Sequence, residues 1–351
     1  MPWSGIPVFS ISLTRTGFAT ASCKWPAGSV RRCGLIMSAE IATAHLDQFL
    51  TNYSIVYRNQ EFVGGRLFPD FPVAKQNNRY PIFGFERFKA YNTERAPGSE
   101  ANEMPSWRMS NDEYYCDGKA QKQLIADELR AQWDLSVGPE VFTTETLADI
   151  IDKQREIQIY NLIMNSGVIP SATLTGTGQW SDFANSDPVG AITAQRSPIL
   201  LACTKEPNTL LVGYQVWLQL IQHPIILDRF KSTALPLGYP SEQQLASLFN
   251  VENLIVAKSL YDTTPQGIQT NLNYIWGKNA ILCYVPPAPG PMVVALGTTF
   301  RWLYGVPQNG GMLVKRYRVE ERSGDMIEYQ TYYSCKLTVP GAAFIFKNAV
   351  Q

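Results

Sequence analysis

The chain has 351 residues, 45% of them hydrophobic and 12% aromatic, which is enough for one large folded body or two ordinary ones and excludes global disorder. Lys plus Arg and Asp plus Glu both number 30, so the formal charge is zero. That balance argues against a nucleic-acid reader and leaves little like-charge repulsion between copies.

No apolar run reaches the roughly 18 residues that a membrane-spanning helix needs. The cysteines Cys23, Cys33, Cys116, Cys203, Cys283 and Cys335 form no CxxC pair. With His45 and His223 the only histidines, a zinc site is disfavoured, and the cysteines read as reduced, mostly buried thiols.

Residues 1–36 carry Arg15, Lys24, Arg31 and Arg32 and no acid, and composition changes at "MSAEIATAHLDQFL", which begins at Met37. Lacking a continuous apolar segment, the first 36 residues read as an extension outside the core, cleaved, disordered or not native to the mature protein. Ile41, Leu46 and Phe49 predict a short helix over 38–52, and 53–78, with Gly64–Gly65, Pro69 and Pro72, predicts an extended arm. The aromatic-rich runs "RYPIFGFERFKAY" (79–91) and "SWRMSNDEYYCDG" (106–118) flank a polar, turn-rich tip. They predict a long hairpin, which is marginal in water unless it lies on something.

"KAQKQLIADELRAQW" predicts a helix over 119–133, and "TETLADIIDKQREIQIYNLIMN" a second over 144–165 with Thr144 as its N-cap. The apolar stripe of the second is Leu147, Ile150, Ile151, Ile157, Tyr160 and Met164, and Ser166–Gly167 stops it after about 33 Å. In "GTGQWSDFANSDPVGAI" (176–192), Asn185–Ser186–Asp187–Pro188 is a helix start for 188–196. Trp180 is expected to pack at this joint and Asp182 to hold a turn, a structural rather than a ligand-binding role.

Beyond it, short elements alternate. Strands are predicted at 208–213, 252–262, 279–287 and 341–350. Helices are predicted at 214–230, split at Pro224, and at 241–249 with Ser241 as cap. A long hairpin flanks Ser323–Gly324. The class is α+β.

The chain shows no Walker loop, GxGxxG, GxSxG or HExxH pattern. His223 precedes Pro224 at a helix end, where the dipole favours a positive ring, and no orienting partner is near it in sequence. Asp182 and Asp187 do not form a glycosidase-like pair. "KRYR" (315–318) reads as a solvated strand face opposite "EER". No catalytic, cofactor-binding or metal residue is nominated.

The order of the stretches "WSDFANSDPVGAI", "NTLLVGYQVWLQLIQHPIILDRFK", "SEQQLASLFNVENLIVAKSLYDT", "NYIWGKNAILCYVPPAPG" and "CKLTVPGAAFIFKNAV" resembles the major capsid protein of tailed bacteriophages, the Hong Kong phage capsid fold shared with encapsulins. The resemblance covers about 37–351. It implies an N-terminal arm at 37–78 and an extended loop at 79–118. It implies a peripheral domain from 119–196 and 301–335, spined by the long helix, and an axial domain from 197–300 and 336–351. It further implies a virion shell protein, assembled in the host cytoplasm into hexamers and pentamers around double-stranded DNA. A separate scaffolding protein or none, with portal and decoration proteins, is the implied partner set, and no cofactor or enzymatic activity is implied. Lys89 lies in the hairpin, but no cross-linking partner is matched to it. The rival readings are an encapsulin-like compartment and an α+β enzyme working through carboxylates alone.

Overall fold

A computed structural model describes residues 62–83, 88–95, 97–103, 109–133, 138–230, 239–264, 269, 271–290, 293–305 and 310–351, with the backbone of 10–13, 19–22 and 45–46. The chain divides into two compact units, Met1–His45 and Leu46–Gln351. In the first, β1 (Ser10–Leu13) and β2 (Ala19–Ser22) pair antiparallel, Ser10 opposite Ser22. A two-residue strand, β3 (His45–Leu46), stands at the boundary.

The second unit opens with α1 (Gly64–Leu67), β4 (Asp70–Val73), β5 (Asn77–Phe83), β6 (Met109–Tyr115) and β7 (Asp117–Ala126). Then come α2 (Asp127–Ala131), α3 (Pro139–Asn165), β8 (Ser171–Thr173), α4 (Pro188–Ala194), α5 (Arg196–Cys203) and β9 (Thr209–Gly213). The middle holds α6 (Tyr214–Leu220), α7 (Pro224–Phe230), α8 (Glu242–Leu248), β10 (Asn253–Ala257), β11 (Leu260–Asp262) and β12 (Leu272–Tyr274). It closes with β13 (Ala280–Cys283), β14 (Gly297–Trp302), β15 (Met312–Val319), β16 (Gly324–Leu337) and β17 (Ala343–Lys347).

Two sheets are bridged by α3, a helix of 27 residues and so about 40 Å long. One sheet is built on β16, which pairs antiparallel with β15 from Gly324 to Thr331 and with β7 from Gly324 to Tyr333. Its far end, Tyr333–Leu337, pairs antiparallel with β14, and β4 joins β14 in parallel. The N-terminal half of α3 lays Leu147, Ala148 and Ile151 on Ile125, Val314, Ile327 and Tyr329 of this sheet. The other sheet runs β10-β9-β13-β17-β8. The C-terminal half of α3 lays Ile159, Ile163 and Met164 on its Leu211, Ile255, Ile281 and Ile345. The opposite face is covered by Val189, Ile192, Ile199, Val216, Leu220, Ile226 and Leu245 from α4 to α8. With both faces covered, β9 and β13 are buried at every residue and lack the alternation of a half-exposed strand.

Close approach explains two glycines. A Cβ on Gly213 would strike the Gly277 carbonyl, and one on Gly297 would strike the Phe68 ring.

Several expectations hold. Helices α6 and α7 break at Pro224, α8 has Ser241 in a full capping box with Gln244, and the hairpin of β15 and β16 turns at Ser323, whose φ is 42°. The expected hairpin of the two aromatic runs is present as β5 and β6, Asn77 opposite Tyr115 and Phe83 opposite Met109. The strand expected at 252–262 divides into β10 and β11.

Others are corrected. The helix expected over 119–133 is a strand as far as Ala126, and only Asp127–Ala131 is helical. Lys, Gln, Ala and Leu favour a helix there, but ten residues of pairing with β16 override that weak bias. The long helix starts at Pro139, in the first turn where proline is tolerated. Thr144 is therefore a buried interior residue whose hydroxyl donates to the Glu140 carbonyl at 2.8 Å, not a cap. Ile150 is exposed, and the buried face carries Glu156, Ile159 and Ile163 instead. The helix expected over 38–52 lies outside the described residues except for β3, which is extended. From 62 on, the arm holds α1, β4 and the start of β5 rather than irregular chain.

Candidate functional site

Trp180 is 1% exposed, its backbone N–H donates to the Ala349 carbonyl at 2.7 Å, and its ring lies 5.3 Å from that of Phe346. It seats the joint against the closing strand. Asp182 holds the turn, accepting from the Ala184 amide and the Asn185 side chain. Asp187 caps α4, accepting from the Gly190 amide at 3.0 Å. The structural expectation for these residues is met.

The joint also meets His223, 37 residues on. Ser186 Oγ lies 3.1 Å from His223 Nε2 and donates its proton to the Asp182 carbonyl at 2.6 Å. Both side chains are buried, and His223 Nδ1 has no partner. A serine beside a histidine suggests a nucleophile and base. Here the serine proton is committed elsewhere, no carboxylate orients Nδ1, and burial leaves no room for a substrate. Burial also pushes the His223 pKa below the ordinary value, with the Asp187 charge opposing it. The expected benefit of a charged ring at the helix end is thus not realised: His223 follows α6 but also begins α7, its carbonyl accepting from Ile226 and Leu227.

A second polar centre sits in the middle of α3, where the two cores meet. The Glu156 carboxylate accepts from the Val63 amide at 3.2 Å, the Gly64 amide at 2.5 Å and Trp276 Nε1 at 2.5 Å. Burial raises its pKa, and these three donors oppose the rise. Arg155, next in sequence, donates to the Phe68 carbonyl, the Asp70 carboxylate and Thr299 Oγ1. Asp70 also receives buried Arg301 at 3.0 Å. These groups tie α1 and β4 to α3 and β14. Sequence reading missed Glu156 and Arg155. The available signal was a carboxylate at the first position of an i, i+3, i+7 series with Ile159 and Ile163.

On the sheet around β16, Asp325 receives Arg316 and Arg130, each at 2.7 Å, and Arg318 forks onto Asp127 at 2.6 and 2.7 Å. "KRYR" therefore faces Asp325, Asp127 and Glu140 rather than only the adjacent "EER", where Glu320 alone approaches Arg318. Cys116, Cys203, Cys283 and Cys335 are free thiols, and burial pushes Cys116 up to about 11 and Cys283 up to about 12, away from nucleophilic thiolates. Cys23 and Cys33 lie outside the described residues. Among the described residues no group of three or more His, Cys, Asp or Glu could hold a metal ion, and no helix is long and apolar enough to cross a membrane.

The features open to partners are surfaces. The base of the β5–β6 hairpin packs, with Tyr114 stacked on Phe300 at 4.5 Å and Tyr80 at 5.3 Å. Beyond the base, Ile82, Phe88 (68% exposed) and Tyr91 face solvent in this chain, and at the base Tyr115 does too.

No protein-family model matches the chain. Among curated proteins, it is 29% identical over 243 residues to the major capsid protein of Burkholderia phage BcepMu, covering 69% of this chain and 76% of that one. It is 24% identical over 314 residues to the major capsid protein of Pseudomonas phage JBD67, covering 87% and 97%. Among solved structures, a phage-related protein from Bordetella bronchiseptica RB50 has a TM-score of 0.69 at 21% identity, covering 87% of this chain and 98% of that one. The capsid of Cyanophage P-SCSP1u has a TM-score of 0.54 at 9% identity, covering 80% and 86%. The chain has the α+β phage capsid fold and is similar in sequence to phage major capsid proteins over most of its length.

Proposed function

We propose that the chain is a structural shell subunit, the major capsid protein of a tailed phage, which self-assembles into the icosahedral head around double-stranded DNA. The observation that carries this reading is the alignment with two phage major capsid proteins, one of them along 97% of its length. The hairpin supports it. Its exposed aromatic side chains are an aggregation hazard on a monomer, and repeated contact between copies would cover them.

In this reading 37–78 is the arm, 79–118 the extended loop, 119–196 with 301–335 the peripheral domain, and 197–300 with 336–351 the axial domain. The pairing of β14 with β16 favours counting the whole of Gly297–Trp302 with the peripheral part. Residues 1–36 stand outside the shell body. The role is structural and not catalytic. The subunits form hexamers and pentamers, work with scaffolding, portal and decoration proteins, touch packaged DNA without sequence preference, assemble in the host cytoplasm and reside in the virion. The test is negative-stain microscopy of the purified chain and of particles from infected cells. Closed shells with nuclease-protected DNA are expected. A small soluble oligomer, or shells loaded with protein cargo, would overturn the phage-head assignment.

A further inference from the structure

The joint holds a buried titratable group, His223. The Ser186 hydroxyl has one proton, and the 2.6 Å contact commits it to the Asp182 carbonyl. Toward His223, Ser186 Oγ can therefore only accept, so Nε2 carries the ring's hydrogen and Nδ1 carries the lone pair. That lone pair is buried without a donor. A second proton there would have no acceptor, and the cation would be shut away from water.

The surroundings offer little compensation. From the loop and α4, Asp182 is occupied by Ala184 and Asn185, and Asp187, the charged group that acts on the ring, is occupied by Gly190. Helix α6 carries no charged side chain, and the Asp228 and Arg229 side chains of α7 are exposed. Phe183 meets the imidazole edge-on at 5.5 Å and supplies no acceptor.

We propose that His223 is an acid-sensitive latch on the Trp180–Pro188 joint: protonation of Nδ1 drives the ring out of its seat, separates it from Ser186 and frees the loop from the α6–α7 break. The direction follows from linkage. The unfolded ring titrates near pH 6.5, and burial holds the folded ring below that. The unfolded or opened state takes the proton first. The latch is therefore fully effective above about pH 6.5 and weakens as pH falls from there toward the folded value. This inference does not depend on the shell reading.

The chain has two histidines, which makes the test clean. Hydrogen exchange of peptides spanning 181–192, corrected for intrinsic chemistry, is compared at pH 7.5 and 5.5 in the full chain, in H45Q and in H223Q, which keeps a donor near Nε2 but cannot titrate. The full chain and H45Q should exchange about ten-fold faster at the lower pH, and H223Q should show no such acceleration. Equal acceleration in H223Q, or none in the full chain, would overturn the proposal. If H223Q fails to fold, S186A replaces it. Removing the acceptor of Nε2–H weakens the seat, so exchange of 181–192 at pH 7.5 should already be faster than in the full chain, and exchange no faster there counts against the latch.

Discussion

In β9 all five residues are buried and in β13 all four, whereas among the described residues of the β5–β6 hairpin the base, around Tyr80 and Tyr114, is what packs on the body. Both regions are rich in large apolar side chains, so composition alone does not separate them. Topology does. The strands β9 and β13 lie inside a five-stranded sheet with helices on one face and α3 on the other, and every side chain finds a neighbour in its own chain. In and beside the hairpin, Phe88, Tyr91 and Tyr115 stay exposed to solvent. Substitutions in the first region should register as lost stability of the subunit. Substitutions in the second should register as lost association.

The sharpest probe of the first region is Trp180→Ala. It empties a fully buried indole site against Phe346, and the subunit should lose about 3–5 kcal/mol in denaturant unfolding. A smaller loss is expected for Glu156→Ala, which strands the Val63 and Gly64 amides and Trp276 Nε1. About 2–4 kcal/mol should be lost, with the amides of 63–68 exchanging faster. Full retention of stability would show that water replaces the carboxylate without cost. Asp187→Ala removes one cap bond and should cost about 1 kcal/mol, read in the same unfolding experiment.

The second region sits at the other end of the scale. Phe88→Ser should change subunit stability by less than about 0.5 kcal/mol while reducing the yield of particles in gradient sedimentation. A stability loss like that of a core residue would remove the distinction between the two regions.

How far these differences could be read beforehand depended on how local their causes are. Strand β9, the break at Pro224, the capping box of α8 and the Asp187–Pro188 helix start are set by neighbouring residues, and each was legible. The strand β7 was not, because its helix-forming composition yields to pairing with β16 some two hundred residues later. Glu156 was hidden for the same reason. Its amide donors lie 92 and 93 residues upstream and its indole donor 120 residues downstream, so only the tertiary fold makes a carboxylate tolerable on that face. Ser186 and His223 were each visible in the sequence, but their contact was not.

The contrast between the regions is tested most directly by removing the hairpin tip, Asn92–Met104, closing the gap with a short glycine turn, and following the product beside the intact chain by sedimentation and thermal melting. The tip carries Glu94, Glu100 and Glu103 with Pro97–Gly98, and its described residues bury no apolar side chain. The intact chain should sediment as particles and the shortened chain as monomers or small rings, with the two melting curves and circular dichroism spectra nearly superimposed. Normal shells from the shortened chain would contradict the account, as would a wholesale loss of its secondary structure.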